Sequence, residues 1–505
     1  GDEGIGVVDV DPNVCTGTQC PHYNHLDDKD HSQDTPIHML IAAYRDRLCP
    51  RTLHNAFVHA SNPKRLFIRV LQQRMPDSDL EDDEDCWEAY CAKFNPECED
   101  EYRSNVQIVN VDARQAKGPT DARSKLSAMI EHDYRVGDTS PLLHAVAPTD
   151  FCMQTDSHMD FSDDFDNGLI AMHHRCENDY AVLSTYVTDI AHNNEPDLKV
   201  VPNLCMVEFR TSIRNWGTKE CNSLTTPKLT NAMWGAGLSF HRCHAELIVP
   251  IDPYLDNVFD GEEGSRGIRL WTHGYDVYTP DRVLVTHDYE GHQTNPVVHT
   301  WGKKLQKDAP NQTFETTWPW MHEIEQAKPT VNIFGTPRVN LLLGIPDRVP
   351  AQKFGKFNIV DSLSEAEQRE RDMIRASKYG LGTKRSLDRV LDFTGIDLAG
   401  RKMVKNKCGN NKWVPFDEDE AGDYGLSLAM ARPLAGEGGG RQIVGSLRLP
   451  KIRGLGAGRP AVNTIVAGGL LPAIGLVAVF VLVLGRLSGR KLFLIRRGKV
   501  ARHTN

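Results

Sequence analysis

The stretch Ile37-His38-Met39-Leu40-Ile41-Ala42-Ala43, followed by Pro50–His59 and then by Leu66-Phe67-Ile68-Arg69-Val70-Leu71, decides the fold. The first run is apolar with a single histidine and no polar alternation, the pattern of a strand buried on both faces. Pro50 stands near the first turn of the helix that follows, where a missing N–H leaves no bond unmade. The second apolar run opens at Leu66. Strand, helix and strand at this spacing read as a βαβ unit.

Outward from this unit the alternation continues. Val106–Val111 reads as a strand, Pro119–Glu131 as a helix, and Asp150–Thr155 as a strand that stops at Asp156-Ser157-His158. Ala181–Tyr186, Leu238–His241 and Arg282–Thr286 supply later strands, so the expected class is α/β, with a mainly parallel sheet covered by helices on both faces. Asp77–Glu88 is densely acidic and reads as a solvated insertion. Glu365–Lys378 is charged enough to predict an exposed helix, and residues 1–34, rich in Asp and His without apolar periodicity, form a polar leader.

The 505 residues carry a formal charge of −10, yet from Arg441 onward there are twelve Lys and Arg and no acid, which leaves −22 on residues 1–440. An acidic body without a basic run or stripe has no electrostatic footprint for nucleic acid, and that class of partner is excluded. Val462–Gly485 is a run of 24 uncharged residues, long enough for a helix to cross a bilayer. Glycines at 436–440 and 454–458 mark a linker before it. Seven Lys and Arg after this run outnumber the four before it, a bias that places the tail in the cytosol and the body in a lumen. The short tail would equally suit insertion from the C-terminus with a cytosolic body. The twelve cysteines are scattered rather than set in paired C-x-x-C, so structural zinc is not indicated. Cys15 and Cys20, and Cys86, Cys91 and Cys98, are close enough for local disulfides.

Ligands of open α/β sheets bind beyond the carboxyl ends of the strands. Asp156-Ser157-His158 occupies such an end. Asp and His one residue apart on extended chain project to one side, and together they offer oxygen and nitrogen donors suited to Mn²⁺. A second constellation follows: Asp260-Gly261-Glu262-Glu263, then Arg266, Arg269 and Trp271-Thr272-His273-Gly274-Tyr275, then Val283-Leu284-Val285-Thr286-His287. His287, at a strand end, is a candidate third ligand. The plainer alternatives are an exposed acidic helix start for Glu262 and Glu263 and a satisfied core histidine for His287.

In order along the chain, the sequence resembles the glycosyltransferases typified by the enzyme that adds N-acetylglucosamine to hydroxyproline of the Skp1 protein. The resemblance rests on Ile41–Asp46 with Cys49-Pro50, Asp85-Cys86 with Tyr90-Cys91, Ala116–Pro119 with Ala122-Arg123, Gln154–Phe161, Ala181–Tyr186, Gly235–Phe240, Asp252–Leu255, Phe259–Glu263 with Arg269–Asp276, and Tyr379–Leu387 with Phe393–Asp397. It is also similar to the polypeptide N-acetylgalactosaminyltransferases. The resemblance implies a GT-A-type nucleotide-sugar-binding fold, a UDP-sugar donor, UDP-N-acetylglucosamine (UDP-GlcNAc), and a divalent cation, Mn²⁺ or Mg²⁺. It further implies Asp156, His158 and His287 as metal ligands, Arg123 and Asp156 facing the nucleotide, Tyr44, Arg45 and Asp46 lining the uridine pocket, and Glu262 or Glu263 orienting acceptor and sugar.

The expected reaction is transfer of N-acetylglucosamine, or a related sugar, with retention to a hydroxyl of a protein or glycan. The alternatives are a membrane-anchored scaffold that binds carbohydrate without turnover and a metal-dependent hydrolase. Gly264, Gly267 and Lys117 depart from the family's usual residues, and the C-terminal span is absent from the enzyme that typifies it. The expected organisation is a leader (1–34), a GT-A domain (35–330), its C-terminal extension (331–435), a linker (436–461), a single transmembrane helix (462–485) and a basic tail (486–505).

Overall fold

The structure, a computed structural model, describes residues 34–136, 145–195, 200–215, 219–222, 224, 226–229, 233–293, 333–346, 348–350, 357–359 and 363–404. The expected leader (except Asp34), linker, membrane span and basic tail, together with Cys15 and Cys20, lie outside these residues. No helix among the described residues is long and apolar enough to cross a membrane.

Eight strands form the main sheet: β1 (Ile37–Tyr44), β2 (Leu66–Arg74), β3 (Val106–Asp112), β4 (Phe151–Asp156), β6 (Ala181–Ser184), β8 (Lys228–Leu229), β9 (Leu238–Arg242) and β10 (Asp276–Thr279). Their order is β8-β10-β6-β9-β4-β1-β2-β3. β3, β2, β1 and β4 pair in parallel, as do β6 and β10, while β9 runs antiparallel between β4 and β6. Six strands therefore share one direction, and the sheet is mainly parallel as expected. A second, three-stranded sheet joins β5 (Met159–Phe161), β7 (Thr188–Asp189) and β11 (Val285–His287).

Both faces of the main sheet are covered, and the alternation of β1 shows how. Met39, Ile41 and Ala43 pack with Cys49, Leu53 and Ala56 of helix α1 (Cys49–His59). Leu40, one residue out of phase, packs with Ala122, Leu126, Met129 and Ile130 of helix α2 (Pro119–Val136). Such two-sided burial is what an uninterrupted apolar strand requires.

The acidic run differs from its expectation of full solvation. Asp83 is only 1% exposed, because the guanidinium of Arg45 reaches it through two hydrogen bonds of 2.8 and 2.6 Å. Directly after it, Asp85 caps the helix Cys86–Lys93 by accepting from the amides of Trp87 and Glu88. Cys91 and Cys98 form a local disulfide as anticipated, but Cys86 pairs with Cys49 of α1. A third bridge, Cys152–Cys243, joins β4 to the turn after β9 across a separation of 91 residues.

A loop of that length gives a disulfide about 4–5 kcal/mol of stabilisation in the chain-entropy account. Cys152→Ala with Cys243→Ala is expected to lower unfolding stability in urea by about 3–5 kcal/mol. The described strands β4 and β9 should remain paired at low denaturant, as read by far-UV circular dichroism.

Candidate active site

The ends of β4, β5 and β11 converge. β4 ends at Asp156, and a tight turn through Ser157 and His158 leads into β5. β11 pairs antiparallel with β5 and sets His287 opposite Met159, so that His287 arrives beside His158 from 129 residues away. The two Nε2 atoms are 2.9 Å apart, and His287 Nε2 is 3.8 Å from Asp156 Oδ2. One ligand atom from each of Asp156, His158 and His287 lies within 4.8 Å of the others.

Two imidazole nitrogens this close cannot both present lone pairs without a proton or a cation between them. One carboxylate oxygen and two imidazole nitrogens fit a first-row divalent cation such as Mn²⁺. Asp156 Oδ1 accepts from Arg123 Nη2 at 2.9 Å, which leaves Oδ2 facing His287. Burial pushes the Asp156 carboxyl up, but Arg123, His158 and His287 outweigh it and hold it below the usual range.

Arg123 lies in the second turn of α2, a helix that Gly118-Pro119 opens. Its other arm donates to Glu262 Oε2 at 2.8 Å. With 8% exposure the guanidinium is desolvated, yet the two carboxylates raise its pKa above the ordinary arginine value. Glu262 and Glu263 begin helix α3 (Glu262–Thr272) directly after Gly261, whose φ of +115° suits glycine alone. Gly264 sits in a crowded position, where a Cβ would stand 2.5 Å from Ile213 Cγ2. The plainer alternative, an exposed acidic helix start, is not what the structure shows: Glu262 is buried and faces inward on Arg123.

Glu263 Oε2 accepts from the Tyr186 hydroxyl at 2.6 Å and Oε1 from the Ala236 amide at 3.0 Å. Burial drives its pKa up, these two donors pull it down, and the balance is about 7. This carboxyl can therefore exchange a proton near neutrality.

Tyr44 ends β1 half-buried, and Arg45 is held by Asp83. The Asp46 carboxylate is turned to His158, with Oδ2 2.7 Å from Nδ1. Asp156, His158, His287, Arg123 and Glu262 are thus brought into one connected group, and Asp46 joins it through His158. Tyr186, Asp83 and Tyr289 were not singled out as site residues in the sequence. The Tyr289 ring packs at a tilt of 31° against the His287 ring, centroids 4.0 Å apart, and its hydroxyl donates to Val187 O at 2.9 Å. Tyr186 closes the Ala181–Tyr186 motif and was visible in that sense; Asp83 was hidden among like charges.

The model of the Glycosyltransferase (GlcNAc) family matches residues 36–89 and 77–400. The chain belongs to that family. Its class is accordingly that of a glycosyltransferase, as the sequence motifs implied. Among curated protein sequences none matches the chain. Solved structures similar to it include GalNAc-T7 with UDP, GalNAc and Mn²⁺, at 14% identity and a TM-score of 0.35 over 54% of this chain and 47% of that one. A mannosyltransferase from Pyrobaculum calidifontis with GDP-Man and Mn²⁺ matches at 11% identity and 0.29 over 51% and 59%. The chain thus spans less than half the length of the first and under two thirds of the second.

The raised Glu263 pKa has a thermodynamic sign. Between its ordinary value of 4.5 and about 7 the folded chain binds the proton that the unfolded chain has lost. Stability from this group is therefore full below pH 4.5 and is lost as the pH rises through 7. Glu263→Gln removes the titration, so its melting temperature should gain on that of the wild type as the pH is raised from about 5 to about 8. Scanning calorimetry across that range checks it; a constant gap would show that Glu263 does not titrate there.

Proposed function

We propose that this transferase moves N-acetylglucosamine from UDP-GlcNAc to a hydroxyl of a protein or glycan acceptor, with retention at the anomeric carbon and a divalent cation held by Asp156, His158 and His287. The observation that carries the reading is the convergence of these three side chains beyond the carboxyl end of β4, with Arg123 linking Asp156 to Glu262. The family's description and the motifs quoted above support N-acetylglucosamine as the sugar. The body is read as tethered to a membrane by 462–485, facing a lumen on the charge bias of its flanks.

A divalent cation bound there would supply a Lewis acid that offsets charge on the departing diphosphate. The protein's own groups set the geometry. Arg123 keeps Asp156 ionised and fixes which oxygen points at His287. Glu262 keeps the guanidinium in place from the far side. Glu263, on the next position of the same helix, has both oxygens engaged by Tyr186 and the Ala236 amide, and so fixes the start of α3 beside the site rather than reaching the acceptor itself. No protein nucleophile is required in a front-face displacement: the anomeric carbon's bond to the UDP oxygen breaks, its bond to the acceptor oxygen forms on the same face, and the acceptor's proton passes to the departing phosphate oxygen.

The test is UDP release by the full chain from a panel of UDP-sugars, with Mn²⁺ and with chelator. UDP-GlcNAc is expected to be turned over in Mn²⁺ alone, and Asp156→Ala to lower the rate by at least about a hundredfold, as loss of a transition-state charge stabiliser does. Turnover unaffected by chelator or by Asp156→Ala would remove the metal site from the account. Binding of the donor without turnover, even with acceptors supplied, would favour the inactive scaffold.

A further inference from the structure

The turn that follows β1 is unusual in its backbone. Arg45 has φ of +45°, a left-handed conformation that costs a residue with a Cβ and persists where its surroundings over-determine it. Here they do. The Arg45 amide donates to Gln73 O at 2.8 Å, and its guanidinium grips Asp83 through both oxygens. Asp83 Oδ1 also accepts from the Met75 amide at 2.9 Å, and three residues later Cys86 is bonded to Cys49 of α1. The chain is thereby folded back on itself from three sides at one residue.

The result is the placement of the next side chain. Asp46 is buried, its Oδ1 accepts from the Leu48 amide at 2.9 Å, and its Oδ2 accepts from Ser157 Oγ at 2.6 Å and faces His158 Nδ1 at 2.7 Å. With both oxygens already engaged by the protein, this carboxylate is not turned toward a ligand in the way a base-recognising group would be. It does something else for His158. A carboxylate only accepts, so the Nδ1 facing it must carry the proton, and in a neutral imidazole the lone pair is then on Nε2. Nε2 is the atom that stands 2.9 Å from His287 Nε2, in the cluster that Asp156 completes.

We propose that Asp46 is a positioning residue of the metal site, fixing the tautomer and ring orientation of His158 so that Nε2 binds the cation, and that the left-handed turn at Arg45 exists to deliver it. The proposal rests on the reading of Asp156, His158 and His287 as ligands. It replaces the uridine-pocket role that the family likeness implies for Asp46, and it gives Arg45 and Asp83 a supporting part in cation binding rather than in nucleotide contact.

The test is Mn²⁺ affinity of the full chain without nucleotide, read from the free-Mn²⁺ electron paramagnetic resonance signal. The comparison is among wild type, Asp46→Asn, Asp46→Glu and Asp156→Ala, with thermal melting as a control on folding. Partners of metal-bound histidines typically account for about 10–100-fold in affinity, and Asp46→Asn is expected to weaken Mn²⁺ binding by that factor, with Asp46→Glu recovering part of it. A role against the nucleotide base would leave this affinity unchanged, so equal binding by wild type and Asp46→Asn, with Asp156→Ala still abolishing it, overturns the inference while the ligand set stands. Failure of the wild type to bind Mn²⁺ overturns both. Should Asp46→Asn not fold, Ser157→Ala removes one donor that aims the carboxylate and reads the same quantity. A loss of about 2–10-fold there, the size expected for one hydrogen bond, supports the assignment, and an unchanged affinity overturns it.

Discussion

The guanidinium of Arg123 sits between two carboxylates that belong to different parts of the fold, Asp156 at the end of a central strand and Glu262 at the start of α3. A charge this buried is tolerated only with its partners in place, and removing either would leave the other arm uncompensated. The same constraint therefore orients the sheet end and the helix start toward each other. It also sets the charge balance. Arg123 offsets one carboxylate, and Asp46 and Asp156 are both held below the usual carboxyl range, Asp46 because hydrogen bonds from His158 and Ser157 outweigh its burial. The remaining negative charge faces two imidazoles, a setting in which a divalent cation is favoured.

The far end of α3 is fixed just as firmly. Arg266 donates to Glu246 at 2.7 Å, and Arg269 to the carbonyls of Gly380 and Lys378 at 3.3 Å each. Gly382 donates its amide to Thr272 Oγ1 at 2.9 Å, and Arg385 reaches Asp276 of β10 at 2.8 Å. The Tyr379–Leu387 segment, which the sequence marks only as a recurring family element, is thus the strap that holds the carboxyl end of α3. Its place more than a hundred residues downstream of the helix explains why the segment from 363 onward belongs to the same structural argument as Glu262 and Glu263.

Much of this was legible from the chain alone. Buried parallel strands are continuous apolar runs, so β1, β2, β3 and β4 declared themselves, and the polar triplet after β4 was visible because it interrupts such a run. Asp156, His158 and His287 could be nominated from strand ends, and the structure brings them together. Other features carried no local signal. Asp83 looks like one more solvated acid until Arg45 is seen beside it. The pairing of Cys49 with Cys86 crosses an entire strand. Asp46 reads as a residue near a pocket, and only the positive φ of Arg45 reveals that its carboxylate turns onto His158. These are tertiary facts, set by where distant segments meet.

The central claim is that Asp156, His158 and His287 together hold the cation that accompanies a nucleotide diphosphate. Crystals of the full chain grown with MnCl₂ and UDP, measured on both sides of the manganese absorption edge, test it most directly. The account predicts one anomalous peak in contact with Asp156 Oδ2 and the Nε2 atoms of both histidines, with the diphosphate completing its coordination. A manganese peak elsewhere, or UDP bound with these three side chains left away from it, would contradict the account.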